Sequence, residues 1–210
     1  MLPLSLIHVD PFLVVADKPA GLLSVPGRGA DKADCLVARV QAVHADALAV
    51  HRLDMATSGL IVLARGAAMH RALSMAFAGR QVHKRYEAVV DGLLVDDEGE
   101  IDLPLIADWP NRPRQVVDHA IGKPSLTRWR VIGRDAAAGR TRVALFPVTG
   151  RSHQLRVHLS AIGHAILGDD LYAPPLAATA TPRLLLHASE LRLAHPVTGE
   201  ALAFDCPVPF

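Results

Sequence analysis

The sequence predicts an α+β protein built on a largely antiparallel, mixed sheet flanked by helices. Three observations point there. Short apolar segments separated by turn residues outnumber the stretches with helical spacing. Consecutive strands are joined by hairpin-type turns, with few strand–helix–strand units. Half of the 210 residues are apolar, enough for a substantial core.

Taken in order, Leu6 to Val9 and Phe12 to Ala16 flank the turn pair Asp10-Pro11 and form an opening hairpin. Lys18-Pro19-Ala20-Gly21 breaks the pattern. Asp34 is placed to cap a helix whose apolar positions Leu36, Val37, Val40 and Val43 follow helical spacing. Thr57, Ser58 and Gly59 favour a turn, and the run from Gly59 to Ala64 reads as a buried strand. A helix from about Ala67 to Ala78 stops at Gly79. Strands follow at Tyr86 to Val90, Thr127 to Ile132 and Arg142 to Phe146, then a helix from Ser152 to Ala161 ending at Gly163. Leu184 to Leu193 and Ala201 to Phe204 close the chain as a hairpin around Pro196-Val197-Thr198-Gly199. With no repeat and no Gly/Ser linker, residues 1–210 read as one domain.

Composition narrows the function classes. No apolar run approaches the roughly eighteen residues needed to cross a bilayer, and the N-terminal residues lack a basic leader pattern. Cys35 and Cys206 make neither a CxxC pair nor a disulfide framework, consistent with free thiols in a reducing cytoplasm. No metal is expected, because HExxH and CxxC patterns are absent and His153 and His158 are five apart, off a common helix face. Gly-rich phosphate and dinucleotide patterns are missing too, so no cofactor is expected.

The net charge of +1 hides a segregated distribution. From Asn111 to Arg156 ten Lys/Arg face two acids, a balance of +8, and from His51 to Arg85 six Lys/Arg face Asp54 alone. Six acids gather between Asp91 and Asp102. Charge along the chain in this pattern suits one phosphate-facing surface, provided that sequence clustering becomes spatial clustering.

Chemistry concentrates in His51-Arg52-Leu53-Asp54-Met55-Ala56-Thr57-Ser58-Gly59-Leu60, where a carboxylate and a guanidinium stand two apart at the mouth of a buried strand. That string resembles the catalytic-loop signature HRLDxxTSGL of the RluA family of pseudouridine synthases. Gly150 to Tyr172 resembles a second block of the same family, GRxHQxRVHxxxxGHPILGDxxY, with Ala165 where proline is usual. Lys84 to Val90 matches a third pattern, KxYxAxV, and Leu184 to Phe204 resembles the family's closing block. Together these span about Leu6 to Phe210, with no room ahead of Leu6 for the S4-type RNA-binding domain that many relatives carry.

The resemblance implies an isomerase that converts uridine in structured RNA loops to pseudouridine. Asp54 is the implied catalytic carboxylate, Arg156 its ion-pair partner, and Tyr86 the ring that lies against the target base. Arg52 is suited to hold the displaced strand, and His51, Thr57, Arg151, His153 and Gln154 are the further expected RNA-binding residues. A helix start at Gly150 or Ser152 would also direct backbone N–H groups at a phosphate. Ser24 to Arg28 and Asp102 to Gln115 resemble the subfamily acting on both ribosomal and transfer RNA. Its substrates would be a loop of 23S ribosomal RNA and the tRNA anticodon stem-loop, modified in the cytoplasm by a monomer. The alternatives are a non-catalytic RNA-binding or chaperone protein on the same scaffold, and a hydrolase releasing uracil. The single HRLD carboxylate has no partner acid at recognisable spacing, against a two-carboxylate glycosidase.

Overall fold

The computed structural model describes residues 4–29 and 32–210. It divides into two compact units, Met1–Lys84 with His187–Pro209, and Arg85–Leu186 with Phe210.

In the first unit the opening hairpin forms as expected, from β1 (Ser5–Val9) and β2 (Leu13–Lys18). Asp10 makes the turn by accepting the N–H groups of Phe12 and Leu13 at 2.7 and 2.8 Å. Helix α1 (Leu36–Gln41) and strand β3 (Ala47–Ala49) follow. The cap of α1 is not Asp34: the Cys35 sulfur accepts from Ala38 N–H at 3.4 Å, while Asp34 forms a fork-like pair with Arg39. An arginine in the last turn outcompetes the backbone for that carboxylate.

The predicted buried strand is β4 (Ser58–Arg65), followed directly by α2 (Gly66–Ala78). Seven of β4's eight residues are buried because the strand is paired on both edges and packed on its faces. One edge runs antiparallel to β2, from Leu13↔Ala64 to Lys18↔Gly59. The other edge is divided between β3, at Leu63 to Arg65, and the parallel strand β11 (Leu186–Ala194) at Ser58 and Gly59. Strand β12 (Ala201–Asp205) completes the closing hairpin against β11. Leu13, Val15, Leu60, Val62, Leu73, Leu191 and Leu193 form one core, with Phe77 and Phe204 packed against it. Gly79 ends α2, but the left-handed residue there is Arg80.

The second unit is antiparallel throughout. β5 (His83–Asp91), which begins at the end of the first unit, pairs with β10 (Arg140–Pro147), which pairs with β9 (Leu126–Asp135), which pairs with β6 (Glu98–Asp102). A separate hairpin, β7 (Leu105–Ala107) and β8 (Gln115–Val117), lies between β6 and β9 in the chain. These short strands escape periodicity analysis because three residues hold too little pattern. Gly99 on β6 makes room for the Trp129 ring, which would lie 2.7 Å from an added Cβ. Helix α3 (Gln154–Ala161) starts two residues later than expected, and the short helix α4 (Pro175–Thr179) was not anticipated. The mixed, mostly antiparallel pairing with few helices is the α+β class the sequence predicts.

Gly59 answers to two constraints at once. Its φ of 109° is disfavoured for other residues, and an added Cβ would sit 2.3 Å from the Ala188 carbonyl oxygen on β11. Gly59→Ala is therefore expected to cost about 3 kcal/mol or more, read as a lowered urea midpoint. A loss below about 0.5 kcal/mol would show that β11 yields easily at this contact.

Candidate active site

Asp54 lies in the loop between β3 and β4, and the residues on either side of it are fixed by bonds from β2 and the loop after it. The Ser24 hydroxyl donates to Leu53 C=O at 2.7 Å and accepts Leu53 N–H at 3.0 Å. On the other side, Met55 C=O accepts from Gly21 N–H at 2.8 Å and from the Lys18 ammonium at 3.1 Å. Lys18 also donates to Pro19 C=O and Leu22 C=O, at 2.9 and 2.8 Å, and is fully buried. Thr57 N–H closes the turn onto Asp54 C=O at 3.1 Å. The half-buried carboxylate of Asp54 thus springs from a backbone held two-sidedly. Lys18 and Ser24 were not singled out as site residues in the sequence. The available signal was a lysine following closely on the apolar run Leu13–Ala16.

His51 anchors the loop's start. Its Nε2 accepts Val62 N–H at 3.0 Å, at a point on β4 between the stretches paired with β11 and β3. The ring stacks on Phe77 with centroids 4.5 Å apart. Burial, and secondarily the charge of Lys84, push the His51 imidazole down to about 3. A neutral ring is what the bond from Val62 requires. His51 and Thr57 were both expected at the RNA surface; Thr57 is buried, and His51 is half-buried with its Nε2 committed to β4. Arg52, between them, is exposed.

In the second unit Tyr86 sits on β5 opposite Leu145 of β10. Alternation puts it on the face away from Arg85 and Glu87. Glu87 joins Arg85 and Arg142 in a three-membered ion cluster, at 2.8 and 3.1 Å. The segment Ala165–Leu167 is bonded along β5, through Asp91 N–H to Ala165 C=O and Leu167 N–H to Val89 C=O, each 2.9 Å. Two residues further on, Asp169 grips Arg156 from α3 in a bidentate pair, Nε to Oδ2 at 2.8 Å and Nη2 to Oδ1 at 2.6 Å. Both groups are buried, Arg156 at 3% exposure and Asp169 at 0%. Asp170 adds a contact to Nη2 at 3.2 Å, and Asp169 further accepts the N–H groups of Leu171 and Tyr172. Asp169 and Asp170 were legible only as part of a motif, without a role.

The entry to α3 differs from expectation. Gln154 is buried and all four of its hydrogen-bonding positions are used. Its amide nitrogen donates to Leu126 C=O and Thr127 Oγ1, both at 3.0 Å. Its oxygen accepts from Thr149 Oγ1 at 2.7 Å and Arg151 N–H at 3.0 Å. Of the N–H groups that a helix start at Gly150 would direct at a phosphate, that of Arg151 is thus answered inside the protein, and Gln154, expected as an RNA contact, is buried in the framework. His153, at the left-handed φ of 53°, bonds through Nδ1 to the Tyr172 hydroxyl at 2.6 Å. Arg151 is exposed.

The basic stretch is also rearranged by folding. Glu98 lies opposite Arg130, and Glu100 opposite Arg128, in the β6–β9 ladder, and both form ion pairs. Arg134 pairs with Asp97, Arg140 with Asp135, Arg142 with Glu87 and Arg156 with Asp169. Six of the ten cations are thereby neutralised locally. Arg112, Arg114, Lys123 and Arg151 have no carboxylate partner among the described residues.

A chain with this mixed sheet, carrying an Asp-bearing loop, a strand tyrosine and a helix arginine in that order, matches the RNA pseudouridylate synthase family over residues 12–161, and belongs to it. It is 51% identical over 204 residues to the dual-specificity RNA pseudouridine synthase RluA of Yersinia pestis, covering 97% of this chain and 98% of that protein. To the proteins of the same name from Escherichia coli K12 and Pasteurella multocida it is 49% and 48% identical, over 99% of this chain and 94% of each. Among solved structures it resembles human RNA pseudouridylate synthase domain containing 1, with a TM-score of 0.81 and 28% identity over 99% of this chain and 84% of that one. Human RNA pseudouridylate synthase domain containing 4 follows, with a TM-score of 0.76 and 27% identity over 98% and 88%.

The His51 imidazole yields a pH prediction with a definite sign. Its folded value lies below its ordinary one, so the unfolded chain binds more protons and stability falls as pH drops below the ordinary value near 6.5. From about pH 6.5 to 4.5 the loss from this group is expected to reach up to about 2 kcal/mol. His51→Gln, which keeps an acceptor for Val62 and does not titrate, should flatten that part of the profile. His158, held below its usual range mainly by burial, should keep its own share of the slope. Urea midpoints that fall equally steeply in both proteins would place the proton uptake elsewhere.

Proposed function

We propose that this protein isomerises uridine to pseudouridine in RNA loops, with Asp54 as its catalytic carboxylate. The observation that carries the assignment is the fixed backbone on each side of Asp54, through Ser24 at Leu53 and Lys18 at Met55. Preorganisation of this kind is what a group acting on a sugar carbon needs. The reaction breaks the N1–C1′ bond, turns the uracil and joins C5 to C1′. C5 gives up a proton and N1 gains one, so composition and oxidation state are unchanged. A carboxylate serves this chemistry as nucleophile or as base.

The other residues take roles around it. Arg156, held by Asp169 through Nε and Nη2, is the residue the resemblance pairs with the catalytic carboxylate, a role in which its charge would favour the ionised form. Tyr86 would stack on the target base, with its hydroxyl close to the reacting carbon. A stacked uridine is out of reach, and taking it from its stack costs about a few kcal/mol, least in a loop. Exposed Arg52, two residues before Asp54, would hold the displaced state. We further propose that the protein acts as a cytoplasmic monomer on two RNA classes, a 23S ribosomal loop and the tRNA anticodon stem-loop, a reading supported by its motif resemblance and by the dual specificity in its relatives' name.

Asp54→Asn keeps shape and removes both the nucleophile and the base. It is expected to lower turnover by roughly a thousandfold or more with RNA affinity nearly unchanged, measured by carbodiimide mapping of pseudouridine and by filter binding. Turnover within tenfold of the parent would refute the assignment. Substrate breadth is tested by incubating the purified protein with an anticodon stem-loop and with a naked ribosomal stem-loop. Both should be modified. A product in only one would confine the enzyme to that class and leave the chemistry standing.

A further inference from the structure

We propose that Trp109, at the tip of the β7–β8 hairpin, is an RNA-stacking residue of a cationic docking surface that holds a loop nucleotide of the substrate. This rests on the RNA-modifying function proposed above and adds a contact residue outside the catalytic set. Trp109 is 68% exposed, whereas Trp129 is buried. An indole left in water is costly unless something covers it, which marks the position for a partner with a flat apolar face.

The loop that presents Trp109 is ordered by its own bonds. Asp108 N–H donates to Arg114 C=O at 3.0 Å, Arg114 N–H to Asn111 C=O at 3.0 Å, and Asn111 Nδ2 to Asp108 Oδ2 at 2.9 Å. Gln115 N–H ties the base of the loop to the Tyr172 hydroxyl at 2.8 Å. The guanidinium carbon of Arg112 lies 3.3 Å from the Trp109 ring centroid. One face of the indole is thus covered by a cation, which leaves the other to receive a base as the outer layer of a guanidinium–indole–base stack.

The electrostatic surroundings select the partner's class. The four cations of the basic stretch that have no carboxylate partner all belong to this hairpin or adjoin it. Arg112 and Arg114 lie in its loop, Lys123 pairs with Leu105 of β7, and the Arg151 side chain reaches Pro124 C=O at 3.4 Å. An exposed aromatic ring among uncompensated cations fits a single-stranded nucleic acid, whose phosphates and bases alternate on the same scale. A neutral apolar protein surface would leave those charges unanswered.

The test uses the full-length protein and an RNA stem-loop with uridine in its loop. Because Trp129 is shielded, acrylamide quenching of tryptophan fluorescence reads Trp109. Saturating RNA should protect it at least about twofold. Trp109→Ala should weaken RNA binding by about tenfold and raise KM with kcat nearly unchanged, while Trp109→Phe should recover most of the affinity. Replacing Lys123 and Arg151 by Gln together should reduce the slope of log K against log salt by about 1.4, from two phosphates. Normal binding and turnover with Trp109 still open to acrylamide, or with Trp109→Ala as tight as the parent, would overturn the stacking role alone. A parent that neither binds nor modifies RNA would overturn both this inference and the proposed function.

Discussion

Everything around Asp54 depends on how the chain compensates a buried ammonium. Lys18 ends β2 with its side chain fully out of solvent, and it donates to three backbone carbonyls, of Pro19, Leu22 and Met55. Burying a charge without such partners is prohibitive, so the loop after β2 and the loop before β4 are committed to the positions those carbonyls need. Ser24 repeats the arrangement at Leu53 with a neutral donor and acceptor. Because β2 and β4 are themselves register-locked, from Leu13↔Ala64 to Lys18↔Gly59, the position of Asp54 follows from the sheet. The pinned segment therefore inherits the stiffness of strands buried on both faces.

The second unit solves a similar problem with opposite polarity. Asp169 is buried and ionisable, and Arg156 with two backbone N–H groups satisfies it. Breaking such a pair from one side costs about 3–5 kcal/mol, because the survivor stays buried and unanswered. The backbone that carries Asp169 is bonded along β5, the strand of Tyr86. Tyr86 and the buried Arg156 are therefore positioned by one continuous hydrogen-bonded assembly. Their shared dependence on β5 ties together two motifs some seventy residues apart in the chain.

Long, strongly patterned elements were legible in the sequence. The apolar run of β4, the helical spacing of α2 and both terminal hairpins fall where periodicity and turn residues place them. Polar positions were harder, because the residue types that bind RNA also close networks. Gln154 and Thr57 sit inside recognisable motifs and are buried, and His51 spends its acceptor on the backbone of β4. Nothing in a single sequence distinguishes a motif residue that touches a ligand from one that holds the motif's shape. Only the folded chain separates Arg52, which is exposed, from Gln154, which is saturated with internal partners.

Charge illustrates the same gap at larger scale. Along the chain the acids at Asp91 to Asp102 and the bases after Asn111 look segregated, as though reserved for different faces. The β6–β9 pairing brings them into register, Glu98 against Arg130 and Glu100 against Arg128. Exposed pairs of this kind stabilise little, but they remove those arginines from the charge available to a phosphate. What the folded unit retains is smaller and more localised than the sequence count, and it gathers around one hairpin. An electrostatic footprint read from sequence is thus an upper bound, since antiparallel pairing can cancel it residue by residue. The cations that survive the pairing, rather than the total, set how strongly and where an RNA backbone is held.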